Sequence, residues 1–260
     1  MMSETASTAD PVLTERRDRI LIVTINRPEA KNAVNAAVSH GLAAAMDVLD
    51  EDPGLSVGIL TGAGGSFCAG MDLKAFARGE NVAVKGRGLG FTERPPAKPL
   101  IAAVEGYALA GGTELALATD LIVAAENSAF GIPEVKRGLV AAGGGLLRLP
   151  RRIPYQIAME LALTGDPLSA ERAHELGLVN VLAEPGQALA AAIDLASRIT
   201  ANGPLAVAAT KRIITESRGW SAEDQWREQL KIIMPVFASK DAREGAVAFA
   251  EKRAPNWTGT

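Results

Sequence analysis

Three short apolar runs, residues 57–60, 100–104 and 121–125, constrain the fold more than any other feature of this chain. A run without a polar face cannot lie on a half-solvated sheet. It has to be covered on both sides, as strands of a parallel sheet are. Between and after these runs come helical patterns. Val34, Val38, Leu42, Ala45, Met46 and Leu49 recur at three- and four-residue steps, which predicts an amphipathic helix over 34–49. Residues 20–26 are β-rich and stop at Arg27-Pro28. Short helices are expected over 72–78, 111–119, 146–149, 154–163 and 170–176, with Ser169 as N-cap and Gly177 as stop, and a last strand over 178–182. Residues 187–200, 204–218 and 222–252 read as helix almost throughout. The order predicts an α/β fold with a helical C-terminal subdomain: a frayed, disordered tail over 1–11, an α/β core over 12–200 and a helical region over 201–260. Residues 79–98, rich in Gly and Pro, are expected to be mobile with at most a short helix.

Bulk properties exclude several classes of function. A net charge of −3 supplies no basic field for nucleic acid. No run of about 18 apolar residues is present to span a membrane. The first eleven residues carry no Lys or Arg and do not resemble a secretory signal. One cysteine, Cys68, excludes an intrachain disulfide and fits a reducing, cytoplasmic setting, with the thiol read as a small buried side chain. His40 and His174 form no metal-spaced pair, so no metal site is expected.

The residues that carry chemistry are two acids and two glycine segments. Glu114 closes Ala110-Gly111-Gly112-Thr113-Glu114, and Glu134 closes Phe130-Gly131-Ile132-Pro133-Glu134. Twice an apolar strand runs through glycines into a helix start, first at 57–72 and then at 100–111. N–H groups at a helix start have no internal acceptor, and the helix dipole adds partial positive charge there. The N–H groups of Met71 and Gly111 are thus candidate donors to one developing oxyanion, with the two acids available for proton transfer beside a carbonyl. Each signal alone also fits an ordinary strand–turn–helix connection, a first-turn acid answering the dipole, or a surface-loop acid. Gly86-Arg87-Gly88-Leu89-Gly90 lacks the spacing of a dinucleotide loop, and neither a P-loop nor a Gly-x-Ser-x-Gly elbow occurs.

Taken in order, five segments resemble the crotonase superfamily, the enoyl-CoA hydratases and isomerases. The resemblance covers nearly the whole chain, from about Val12 to Trp257. Residues 26–33 (NRPEAKNA) are similar to that family's early loop, implying coenzyme A contacts from Glu29, Ala30 and Lys31. Residues 67–73 (FCAGMDL) are similar to its first oxyanion segment, implying the Met71 donor with Ala69, Asp72 and Leu73 beside the substrate. Residues 106–114 are similar to the second, implying the Gly111 donor and the acid Glu114, and residues 130–134 match the second acid, Glu134. Residues 249–253 (FAEKR) are similar to the closing motif, implying that Phe249 and Lys252 approach coenzyme A.

The resemblance implies a spiral of strand-strand-helix turns with a C-terminal trimerisation region, and a homotrimer or dimer of trimers. Trp220, Trp226 and Trp257 fit such self-association or simply a core. It implies hydration of a trans-2-enoyl-CoA, with double-bond isomerisation or a carnitinyl-CoA dehydratase-like reaction as alternatives. A non-catalytic acyl-CoA-binding module would have no use for paired acids. No separate cofactor is implied, since coenzyme A arrives within the substrate. Residues 141–150 depart from the common hydratase form and look closer to the carnitinyl-CoA dehydratase branch.

Overall fold

A computed structural model describes residues 10–260; residues 1–9 of the expected tail lie outside the described residues. In the rest of that stretch, the Asp10 and Pro11 carbonyls accept hydrogen bonds from Asn26. The chain opens with a hairpin, β1 (Val12–Arg17) and β2 (Ile20–Ile25). Then come α1 (Ala36–Glu51), β3 (Val57–Gly62) and the short α2 (Leu73–Ala77). Next are β4 (Leu100–Val104), β5 (Tyr107–Leu109) and α3 (Gly111–Ala118). β6 (Leu121–Ala125), β7 (Ala129–Gly131), α4 (Gly145–Arg148) and α5 (Tyr155–Thr164) follow. The chain then forms β8 (Leu168–Ser169), α6 (Ala170–Glu175), β9 (Val181–Ala183) and α7 (Ala188–Thr200). It ends in α8 (Pro204–Glu216), α9 (Gln225–Phe237) and α10 (Lys240–Ala250).

Six strands form the main sheet in the order β1-β2-β3-β4-β6-β9, parallel except at the β1–β2 hairpin. Alternate side chains leave opposite faces of a strand, and here the two sets enter different cores. Ile20, Ile22, Val57, Ile59, Ile101, Ala103 and Val123 pack with Ala192 and Ala196 of α7. Leu21, Val23, Ile25, Leu60, Leu100, Ala102 and Val104 enter the main core, with Val38, Leu42, Met46 and Leu49 of α1. Burial on both faces explains why 100–104 carries no polar residue.

A second, three-stranded sheet, β5-β7-β8, lies beyond the ends of the main strands. β4 passes into β5 and then α3, and β6 passes into β7, so successive turns of the chain contribute one strand to each sheet. The preceding turn joins in as well: Cys68 bridges Ala108 in parallel. This is the coil of strand-strand-helix turns implied by the resemblance.

Three expectations need correction. Residues 79–98 form no helix, and their Val82, Leu89 and Phe91 are buried in the main core, with Arg87 paired to Asp47 of α1. Residues 222–252 are two helices, because Ser239 caps α10 through the Ala242 N–H at 3.0 Å. The last strand starts at Val181, and Asn180 closes the preceding turn by accepting from the Ile122 N–H.

Candidate active site

The register of the second sheet positions the site. Cys68 pairs with Ala108, and Ala108 pairs with Phe130. Met71 and Gly111 each lie three residues beyond their member of the Cys68–Ala108 bridge, so the two backbones arrive side by side. A Cβ built on Gly111 would lie 3.6 Å from the Met71 nitrogen. Their neighbours are tied down: Gly70 N–H points to the Cys68 sulfur, Asp72 N–H donates to the Val34 carbonyl, and Ala110 N–H donates to the Gly131 carbonyl. Among the described residues, neither the Met71 nor the Gly111 N–H finds a protein acceptor.

Local geometry enforces this aim. Ala110 sits at φ +50° and ψ −124°, a conformation costly for an L-residue and found where surroundings over-determine it. Gly112 has no room for a side chain, since a Cβ there would meet the Cys68 carbonyl oxygen at 2.1 Å. The start of α3 therefore presses directly on the preceding turn of the coil. Cys68 itself is fully buried, and burial pushes its thiol up to about 12, which excludes it as a nucleophile.

Both acids line the same cavity of about 390 Å³ as the two amides. Glu114 is 3% exposed. Its Oε1 accepts from the Gly145 N–H at 2.9 Å. Burial raises its pKa, while the backbone of Gly145 and Gly143 and the charge of Arg148 act in the opposite sense. Burial also raises the pKa of Glu134, aided by the nearby Glu114 charge and countered by Arg137. The Glu134 Oε2 is buried without a hydrogen-bond partner among the described residues. The two acids thus differ: one is held by backbone amides, the other keeps an oxygen unused. The rest of the wall is mainly apolar, including Leu73, Phe76, Val82, Leu89, Leu109 and Val140.

Ala69, Met71, Leu73, Gly111, Glu114 and Glu134 share this cavity. Asp72 turns elsewhere: its carboxylate caps α2 through Lys74 and Ala75 and pairs with Arg27 at 3.0 Å. Glu29, Ala30 and Lys31 form a one-turn helix and its left-handed end outside the cavity wall, with the Lys31 ammonium 5.8 Å from the Tyr107 ring centre. Phe249, 87% exposed, and Lys252 lie at the end of α10, also outside that wall. Sequence reading missed Gly143 and Gly145 as the support of Glu114. The glycine run 143–145 was visible, but its partner, some thirty residues earlier, was not. Among the described residues no group of three or more His, Cys, Asp or Glu could hold a metal ion, and no helix is long and apolar enough to cross a membrane.

Two sheets wound in one coil, with two free amides, a buried acid and a half-buried acid lining one cavity, place the chain in the crotonase superfamily. The family model for enoyl-CoA hydratase/isomerase matches residues 15–260, and the chain belongs to that family. Enoyl-CoA hydratase EchA19 of Mycobacterium tuberculosis is 46% identical over 97% of this chain and 98% of its own. A carnitinyl-CoA dehydratase of Salmonella arizonae is 43% identical over 94% and 97%. A crystal structure of an enoyl-CoA hydratase from Mycobacterium tuberculosis superposes with a TM-score of 0.95 at 82% identity, covering 96% of this chain and all of that one.

Proposed function

We propose that the protein is a hydro-lyase that adds water reversibly, in syn fashion, across the 2,3 double bond of a trans-2-enoyl-CoA. One observation carries the reading: two backbone donors without acceptors and two acids with raised pKa values line a single cavity. The thioester oxygen accepts from the Met71 and Gly111 N–H groups, which stabilise the enolate as charge moves onto that oxygen. Each such donor is typically worth about 3 kcal/mol in the transition state. Glu114, fixed by Gly145, orients the water and takes its proton as oxygen attacks C3. Glu134, with its unused oxygen, delivers the proton to C2. The apolar wall holds the acyl chain.

Glu29, Ala30 and Lys31 are proposed to meet coenzyme A beyond the cavity mouth, and so are Phe249 and Lys252. Coenzyme A enters as part of the substrate, without a further cofactor. The working assembly is a homotrimer or a dimer of trimers in the cytoplasm. The likeness of residues 141–150 to the carnitinyl-CoA dehydratase branch, together with the 43% identity to such an enzyme, favours one second reading: dehydration of a 3-hydroxyacyl-CoA of that kind through the same groups.

Turnover of a trans-2-enoyl-CoA, a 3-enoyl-CoA and carnitinyl-CoA, compared side by side, tests the assignment. Hydration is expected to dominate with the first, and Glu134→Gln to lower kcat by about 10²–10⁴-fold with KM little changed. Wild-type turnover in that variant, or reaction with the 3-enoyl-CoA alone, refutes the proposal.

A further inference from the structure

A second cavity of about 630 Å³ adjoins the first and shares Glu93, Ala142 and Gly143 with it. Its wall is strongly cationic: Arg148, Arg151, Arg152, Lys211 and Arg218 face only two carboxylates, Asp120 and Glu93. Lys211 takes Asp120 at 2.6 Å. Among the described residues, none of the four guanidiniums forms an ion pair. Arg148 donates to the Thr92 and Gly143 carbonyls, and Arg152 donates to those of Leu117 and Thr119. Asp120 and Glu114 reach Arg152 and Arg148 only through longer-range attraction.

The contrast with other partly buried cations is informative. Arg27, Arg87 and Lys211 each rest against a carboxylate. A cation withdrawn from water needs such compensation. At Arg148 and Arg152 backbone carbonyls stand in for a carboxylate and leave the charge unneutralised, while Arg151 and Arg218 extend the cationic wall to the surface, and the cations crowd one another. Burial lowers the pKa of both Arg148 and Arg152, and the charges of Arg152 on the first and Arg218 on the second add to the effect. Guanidiniums match phosphate and carboxylate oxygens with two parallel N–H donors.

We propose that this second cavity binds a small molecule carrying a phosphate or carboxylate group, held by Arg148, Arg151, Arg152 and Arg218. The site is distinct from the acyl-CoA cavity, and its occupancy does not depend on the hydratase reading.

Isothermal titration of the 260-residue chain with inorganic phosphate, and separately with acetate, at matched ionic strength in chloride, tests this. Saturable binding of at least one probe is expected, weakened at least tenfold in the double variant Arg151→Met/Arg218→Met. Both residues are exposed and outside the catalytic cavity, so enoyl-CoA turnover is expected to persist in the variant. No saturable heat above chloride overturns the proposal. So does unchanged affinity in the double variant, or loss of phosphate binding on adding free coenzyme A. A fourth contrary result is a drop in sedimentation coefficient of the double variant, which would assign the arginines to carboxylates of a neighbouring copy.

Discussion

Glu134 holds a buried oxygen that none of the described residues satisfies, and Glu114 lies almost wholly out of water. Both pKa values are raised, chiefly by burial. A carboxyl group whose pKa is higher folded than unfolded binds more protons in the native state. Stability therefore falls as pH rises from the ordinary carboxylate value, about 4.3, through the raised one. Glu134→Gln removes that effect. We expect its melting temperature to exceed that of the wild type at pH 7–8 and the gain to vanish near pH 4, measured by thermal unfolding across pH. An unchanged or lower melting temperature at neutral pH contradicts the assigned environment. These acids were legible because each closes a glycine-bearing motif. The supports of Glu114 were not, since a contact between residue 114 and residues 143–148 leaves no local pattern.

At the scale of elements, the second sheet is what sequence reading could not see. β5 and β7 have three residues each, too few to display a period. β1 was missed because its side chains are largely exposed and its sequence, VLTERR, does not alternate. The main strands and α1 were legible because burial on both faces, or on one helical stripe, dictates residue type over a longer span.

Thr113 joins the two scales. Its hydroxyl lies 2.6 Å from the Ala108 carbonyl and 2.8 Å from the Gly131 carbonyl, and it accepts from the Gly131 N–H at 2.9 Å. One side chain thus ties α3 to β5 and β7. Thr113→Val keeps the shape and removes the hydroxyl's hydrogen bonds to Ala108 and Gly131. Chemical denaturation is expected to show a loss of about 0.5–1.5 kcal/mol. Full stability in the variant would mean that the second sheet holds α3 without this tie.

For the whole molecule, the C-terminal helices present a surface that the single chain leaves open. Trp226, Leu230, Met234 and Phe237 lie along one side of α9 and are 54–74% exposed. Their spacing of four, four and three residues keeps them on one stripe. An apolar stripe of this kind marks an interaction surface, and the proposed trimer supplies its cover. Met234→Glu with Phe237→Glu is expected to lower the sedimentation coefficient to that of a single chain, with helical content retained. An unchanged coefficient would place the contact elsewhere. The helical tail itself was legible from composition and period. Its division at residues 238–239 was not, because Ser239 acts as a cap only once the chain turns there.

The Cys68–Ala108 bridge has a consequence for how such a protein can diversify. The two amide donors belong to successive windings of one ribbon, so their spacing is the pitch of the fold and not a property of either loop. Pitch is shared by every winding and cannot be retuned at one place. Variation in what the enzyme accepts would then fall on the segments that wall the proposed acyl pocket, residues 76–93 and 139–143. The reaction would be inherited with the architecture, while its choice of acyl group stays open to drift.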